Sequence, residues 1–406
     1  MATARSGDTW TVTAPLPQAT LDDAQRLACL RLIRSENVGP VTFRELINHY
    51  GGATAAIEAL PELSRRSGRG RPIRICPRDQ AEAELEAATR IGARPVFTIE
   101  PSYPAALAHV DVPPPMLYVK GRPELLGKPM VAIVGARNGS AAGLKLTRHF
   151  AQKLGEAGYV VASGLARGID GAAHEASLAT GTVAVLAGGI DFIYPPEHAV
   201  LYARIGVEGC LLSEQPPGFQ PRGQDFPRRN RIISGISLAT VIVEAAHRSG
   251  SLITARMAAE QGRLVLAVPG HPLDPRAEGT NGLIKRDGAT MVTEVGDILE
   301  AVASQVEQPR MKSAFSAPVR VSTLLREPVA DCSTTRLDSG EVVGGDPRAQ
   351  VLSALGPAPV EIDELSRATG RPVQQVRAVL LELALAGRVE FHGRQLVSLN
   401  SNKTED

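Results

Sequence analysis

The sequence predicts an α/β fold: a Rossmann-like, doubly wound, mainly parallel sheet, with a small N-terminal helical domain before it and a C-terminal winged helix after it. Three observations predict this. Between about 113 and 303, short apolar runs alternate with helical stretches. The runs are apolar throughout rather than every second residue, as strands covered on both faces must be. Gly, Ser, Asn and Arg gather just after the runs, where open parallel sheets bind ligands.

Taken in order, residues 1–20 read as a disordered leader. Residues 21–80 hold helices and a basic linker. Leu21, Leu27, Leu30 and Ile33 share helical spacing, Asn37-Val38-Gly39-Pro40 interrupts it, and Val41, Leu46, Ile47 and Tyr50 resume it before Gly51-Gly52. Two helices about a glycine turn resemble a helix-hairpin-helix or SAM-like unit. Only Gly39 is present where that hairpin usually carries two glycines, so the pair is read as a packing unit. SRRSGRGRPIR, within 61–80, reads as a solvated basic linker.

Residues 81–303 form the extended Rossmann-like unit. MVAIVG (130–135), YVVAS (159–163), TVAVLA (182–187), CLLSE (210–214), the run through 239–246 and LVLAVP (264–269) are its strands. Residues 304–346 lose periodicity and read as a flexible linker. Residues 347–399 give helices near 348–355, 362–369 and 372–386, then a hairpin about His392-Gly393. Six arginines against five carboxylates in that last unit make a weak case for duplex binding, and a protein contact is an equal reading.

The 406 residues carry a net charge of +1, so a polyanion site has to come from local clustering. Four scattered cysteines with no C-x-x-C pair point to reduced buried thiols, with no metal and no disulfide framework. The N-terminus has no apolar h-region, and no apolar run approaches the ~18 residues of a membrane span. A soluble, cytoplasmic protein is expected.

The strand-end residues define the candidate site. Gly135 and Arg137 follow the first strand. Ser163, Gly164, Arg167 and Gly168 follow the second. Gly188-Gly189-Ile190-Asp191 follow the third. Arg228, Arg229, Asn230 and Arg231 come at some distance after the fourth, and Ser249, Gly250 and Ser251 after the fifth. Glycines let backbone amides approach an oxyanion, helix N-termini add positive potential, and arginines supply forked donors. The combination reads as a phosphate-binding rim. Taken alone, RRNR reads equally as a solvated charged loop.

Enzymatic readings fare less well. No G-x-G-x-x-G follows the first strand, and Ser163 stands where a dinucleotide site needs an acid. No G-x-x-x-x-G-K-[ST] occurs, and the P-G-G-x-G-T-x-x-E of phosphoribohydrolases is missing. Asp170 and His174 lie four apart, but Asp170 is read as stabilising a helix start. Glu244 is read as a partner for a rim arginine. No cofactor and no catalytic residue is assigned; a nucleotide-binding or phosphoribosyl-cleaving enzyme on a related fold is the alternative.

Taken together, VGARNGS, SGLARGIDGAAHEASL, AVLAGGIDFIYPPEH, LLSEQPPGFQP, FPRRNRIISGISLATVIVEAAHRSGSLITARMAAEQGR and AVPGHPLDPRAEGTNGLIKRDGA resemble, in order, the DNA-processing protein A family (DprA/Smf) over about 130–290. Gly-Ile-Asp after the third strand and Glu197-His198 depart from the Leu and Asn more usual there. The resemblance implies single-stranded DNA binding, protection of incoming strands, loading of the RecA recombinase in natural transformation, and a homodimer through the Rossmann domain. By position, Arg137 is the leading phosphate ligand. The Ser163–Gly168 stretch, the RRNR stretch and Ser249–Ser251 complete the rim. Aromatic residues make up only 4% of the chain, so few stacking platforms are expected; Phe219 and Phe226 are the candidates, with core packing the plainer reading.

Overall fold

The computed structural model describes residues 20–66, 72–307 and 346–400. The expected leader (1–20) and linker (304–346) fall almost wholly outside them.

The N-terminal unit has four helices where two were read from the sequence: α1 (Asp23–Ile33), α2 (Pro40–Tyr50), α3 (Ala53–Arg66) and α4 (Arg78–Arg90). Asp22 caps α1 through a reciprocal box with Gln25. Pro40 opens α2, and Gly51, at φ 75°, closes it. The basic stretch begins at the end of α3 and lies before α4, with residues 67–71 outside the described residues. α4 crosses the expected boundary at 80 and packs on α1, where Arg34 forks onto Glu84 at 2.7 Å.

Among the described residues, nine strands form one sheet: β1 (Ala93–Phe97), β2 (Met116–Gly121), β3 (Met130–Val134), β4 (Val160–Ser163), β5 (Thr182–Leu186), β6 (Cys210–Ser213), β7 (Ala239–Ile242), β8 (Leu264–Ala267) and β9 (Thr290–Met291). Their order is β1-β2-β6-β5-β4-β3-β7-β8-β9. β3 to β9 run parallel, and β1 and β2 add an antiparallel edge. The sequence reading missed that edge and β9. The chain winds one way from β3 to β6 and the other from β7 to β9. The switch point therefore lies between β3 and β7, and a crevice opens beyond their carboxyl ends.

Both faces of the sheet are covered. On one, Val131, Ile133, Val161 and Val241 pack against Phe150 and Leu154 of α6 (Ala141–Glu156). On the other, Ala132, Val134, Val183 and Val185 pack against Ile232 and Ile233 of α9 (Asp225–Gly235). α9 is the stretch containing RRNR. It is a helix rather than a loop, because Ile232 and Ile233 at its end are drawn into the core and Arg229, one turn earlier, follows them inward. α7 (Ile169–Ser177) and α10 (Gly250–Glu260) begin at the crevice, and α5 (Ala105–Ala108), α8 (Ala199–Glu208), α11 (Glu278–Arg286) and α12 (Val295–Glu307) are the other helices of this unit.

The C-terminal unit is a winged helix of α13 (Pro347–Ala354), α14 (Ile362–Thr369) and α15 (Val373–Leu385), with β10 (Val360–Glu361), β11 (Val389–His392) and β12 (Leu396–Leu399). Gly393, at φ 85°, turns the hairpin. α15 packs on α2 and α3, and its Leu381 and Leu385 join the N-terminal hydrophobic core.

Candidate nucleic-acid interface

The crevice is a cavity of about 850 Å³, walled by the turns after β3, β4 and β5 and by the starts of α9 and α10. Gly135 and Arg137 line it from the β3 turn. Gly135 is needed there, since a Cβ would come within 2.7 Å of the Ile169 side chain. Arg137 is exposed and bonded to no carboxylate among the described residues.

The β4 turn behaves differently from the expectation of a second wall. Gly164 lines the cavity. Ser163 is fully buried and donates to the Ile133 carbonyl at 2.6 Å. Gly168 stands behind the wall at φ 73°, where a Cβ would run into the Ala136 carbonyl. Arg167 points to Glu197 at 2.7 Å. Asp170 accepts from the amides of Gly164 and Ala166 at 3.1 and 3.4 Å, which fixes the loop's shape. His174 turns from Asp170 to the Thr182 hydroxyl at 2.7 Å. Burial there brings its pKa down to about 3, so the ring is neutral.

The RRNR arginines serve three ends. Arg228 is exposed, 4.0 Å from Glu214. Arg229 lines the cavity from a buried position; its guanidinium donates to the carbonyls of Gly164 (2.8 Å) and Val185. Burial lowers its pKa to about 10, against the opposing pull of Asp170, so it stays cationic. Asn230 lines the cavity as well. Arg231 is not on the cavity wall: it grips both Glu214 oxygens at 2.7 Å and donates to the Val112 carbonyl at 2.9 Å.

Ser249, Gly250 and Ser251 line the far wall, with Ser249 capping α10. Glu244 grips the Ser140 amide (2.9 Å) and hydroxyl instead of a rim arginine. It thereby ties the start of α6, and so the Arg137 turn, to the end of β7.

Sequence reasoning missed several cavity residues. Arg248 is exposed on the wall beside Ser249. Arg276 reaches the wall from a distant loop, held by Asp274 at 2.9 Å. Tyr194, 43% exposed, packs edge-on against Phe226 at 5.1 Å, so one of the two expected aromatics faces the cavity; Phe219 does not line it. The position of Arg248 in AHRSGS was an available signal. Nothing local pointed to Arg276 or Tyr194.

Among the described residues, Cys29, Cys76 and Cys210 are free and buried. Burial pushes the Cys29 and Cys210 thiols up to about 12, which leaves them poor nucleophiles. No group of three or more His, Cys, Asp or Glu among the described residues is placed to hold a metal. No described helix is long and apolar enough to cross a membrane. The α1–α2 hairpin faces inward: the Asn37 side chain donates to the Leu385 carbonyl at 2.8 Å, and the Glu36 amide to Arg74 at 3.0 Å.

Comparison with known proteins covers all three units. A profile described as DNA recombination-mediator protein A matches residues 94–303. One described as a DprA-like N-terminal HHH domain matches 23–87, and a DprA winged helix domain matches 342–393. Protein Smf of Escherichia coli is 38% identical over 290 residues, covering 70% of this chain and 72% of that protein. The DNA processing protein DprA of Bacillus subtilis is 45% identical over 201 residues, 49% of this chain and 67% of its own. The X-ray structure of DNA processing protein A from Streptococcus pneumoniae superposes with a TM-score of 0.58 at 32% identity, covering 70% of this chain and 98% of that one.

Proposed function

The chain belongs to the DNA recombination-mediator protein A family, and on that premise we propose that its crevice binds single-stranded DNA by the phosphate backbone, without covalent chemistry. One observation carries the reading. Arg137 and Arg248 face the same cavity from opposite sides of the β3/β7 switch point, and neither is bonded to a carboxylate among the described residues. Free guanidiniums at a rim of glycine turns and helix starts are suited to phosphate. The Tyr194–Phe226 pair at the edge offers a surface on which a base can stack. Asp170, the carboxylate on the described cavity wall, is taken up by the amides of Gly164 and Ala166, and Glu244, off the wall, by the amide and hydroxyl of Ser140, which leaves neither aimed as a base.

The same reading assigns the protein to DNA uptake. A backbone-held strand is shielded from nucleases while its bases stay available for pairing. We extend the proposal to delivery of that strand to the RecA recombinase and to a homodimer formed through the sheet domain. The test is anisotropy titration of labelled single-stranded and duplex oligonucleotides at several salt concentrations. Tight, salt-sensitive preference for the single strand is expected. Equal or negligible binding to both sinks the reading and makes small nucleotides the next ligands. Light scattering of the free protein tests the dimer, and strand-exchange assays with RecA test delivery.

A further inference from the structure

Two arginines from two domains converge on one short turn outside the crevice lining, and a third lies beside them. Arg44 of α2 donates to the Asp111 carbonyl at 3.3 Å. Arg394, in the wing turn, donates to the adjacent Val110 carbonyl at 3.1 Å. Consecutive α-carbons are about 3.8 Å apart, so guanidiniums bonded to successive carbonyls are held side by side. Arg377 of α15 adds a third cation through its 3.5 Å pair with Glu45, the neighbour of Arg44. Gly393 at the wing tip sits over the Asp111 side chain, which seats the wing on the turn.

The donors there outnumber the acceptors. The Nε–H groups of both Arg44 and Arg394 are buried and have no hydrogen-bond partner. Neither guanidinium forms an ion pair among the described residues; Glu45 goes to Arg377. Desolvation, followed by the nearby Arg394 charge, lowers the Arg44 pKa, while Glu45 and Asp111 oppose this. Two partly buried guanidiniums side by side repel, and each unpaired buried donor is costly. An oxyanion relieves the repulsion, because a forked guanidinium matches its geometry. All three side chains are partly exposed, so an anion reaches the guanidiniums from solvent, and a small shift of the seam brings it to the buried Nε–H groups as well.

We propose that Arg44 and Arg394, with Arg377 beside them, form an oxyanion site at the seam between the winged helix and the N-terminal helices, and that its phosphate-type ligand fastens the winged helix in place. α15 is the helix that enters the major groove in DNA-reading winged helices. Here its Leu381 and Leu385 are buried against the N-terminal unit. An anion in the seam therefore favours the state in which α15 is committed to the protein.

The test uses the full chain in an Arg137→Ala/Arg248→Ala background, which removes the crevice's two exposed guanidiniums that pair with no carboxylate among the described residues, with ionic strength held constant by chloride. Inorganic phosphate is titrated while melting temperature and hydrogen–deuterium exchange of α15 are followed. A saturable rise in Tm of several degrees and at least threefold slower exchange in α15 are expected. Both are lost in Arg44→Gln/Arg394→Gln. If that pair folds poorly, Arg394→Gln alone, on the wing, serves. A parallel arm replaces phosphate with a short oligothymidine. Protection by phosphate assigns a free anion, and protection by the oligonucleotide alone assigns a strand phosphate; either supports the site provided Arg394→Gln abolishes it. No saturable effect of either probe, or an effect that survives Arg394→Gln, overturns the proposal and leaves ordered water as the partner of the two Nε–H groups.

Discussion

Arg229 and Asp170 face each other across Gly164, where a Cβ would lie 2.7 Å from the Arg229 guanidinium and 2.9 Å from the Asp170 carboxylate. The glycine lets a buried cation and a buried anion stabilise one turn from both sides. Asp170 takes the turn's amides, and Arg229 takes the Gly164 carbonyl.

Removing one charge strands the other. Arg229→Ala is expected to cost about 3–5 kcal/mol, the penalty of an uncompensated buried charge. That corresponds to a melting temperature lower by roughly 10 °C. Asp170→Asn in the same background recovers part of the loss. A melt of Arg229→Ala that matches the parent would show that the pair has no structural role.

Arg137 and Arg248 separate from Arg231 in a salt titration. Arg137→Ala and Arg248→Ala each lower affinity for single strands, and each reduces the slope of log K against log salt by about 0.7, one phosphate contact. Arg231, bound to Glu214 and the Val112 carbonyl, positions α9. Arg231→Ala is expected to lower the melting temperature and leave the slope unchanged.

The Tyr194–Phe226 edge predicts a loss that salt does not alter. Tyr194→Ala or Phe226→Ala should weaken oligonucleotide binding by ~1–3 kcal/mol per stacked base, with an unchanged salt slope. Abasic oligonucleotides should bind parent and variants alike. A uniform loss on abasic strands would instead place these rings in the wall's packing.

Gly168→Ala tests the wall's backbone. At φ 73°, with the Ala136 carbonyl against the missing Cβ, the substitution forces apart the turns after β3 and β4. A cost of about 1–3 kcal/mol is expected from the strained conformation alone. Weaker strand binding should accompany it, because Arg137 rides on the displaced turn. Calorimetry and anisotropy on one preparation check both.

His174 gives a pH signature. Its pKa is about 3 in the folded chain against 6.5 for a free imidazole, because burial disfavours the charged ring. The folded state therefore binds fewer protons than the unfolded one between those values. The stability is fully present above pH 6.5 and is lost as pH falls towards 3, at up to ~1.4 kcal/mol per pH unit. In melting experiments from pH 7 to 5, His174→Gln should show a shallower decline. Parallel curves would show that the acid sensitivity lies elsewhere.

The apolar runs at 130–135, 159–163 and 182–187 were readable as parallel strands because a strand covered on both faces leaves a local compositional mark. Glycines and arginines after the strands marked the crevice for a similar reason, since topology places strand ends at a ligand site whatever the loops contain. β1 and β9 left no such mark: ARPVF carries Arg94 and Pro95 in mid-strand, and β9 is two exposed residues at the sheet edge. β2 does carry a buried apolar run, MLYV, but it pairs antiparallel with β1 and β6 and so stands outside the alternating βα series that made the other strands readable.

The sequence by itself determined the family, the fold class and the chain segments that meet at the crevice. Only the tertiary structure decided what each cation does there. Arg228, Arg229 and Arg231 are near neighbours on one helix, yet helical geometry turns one to solvent, one into the core beneath Gly164 and one onto Glu214. Arg276 and Tyr194 join the crevice from loops far away in the chain, and α15 reaches the N-terminal helices across more than three hundred residues. Local spacing carries backbone periodicity, but a side chain's partner depends on which distant segment the fold brings beside it.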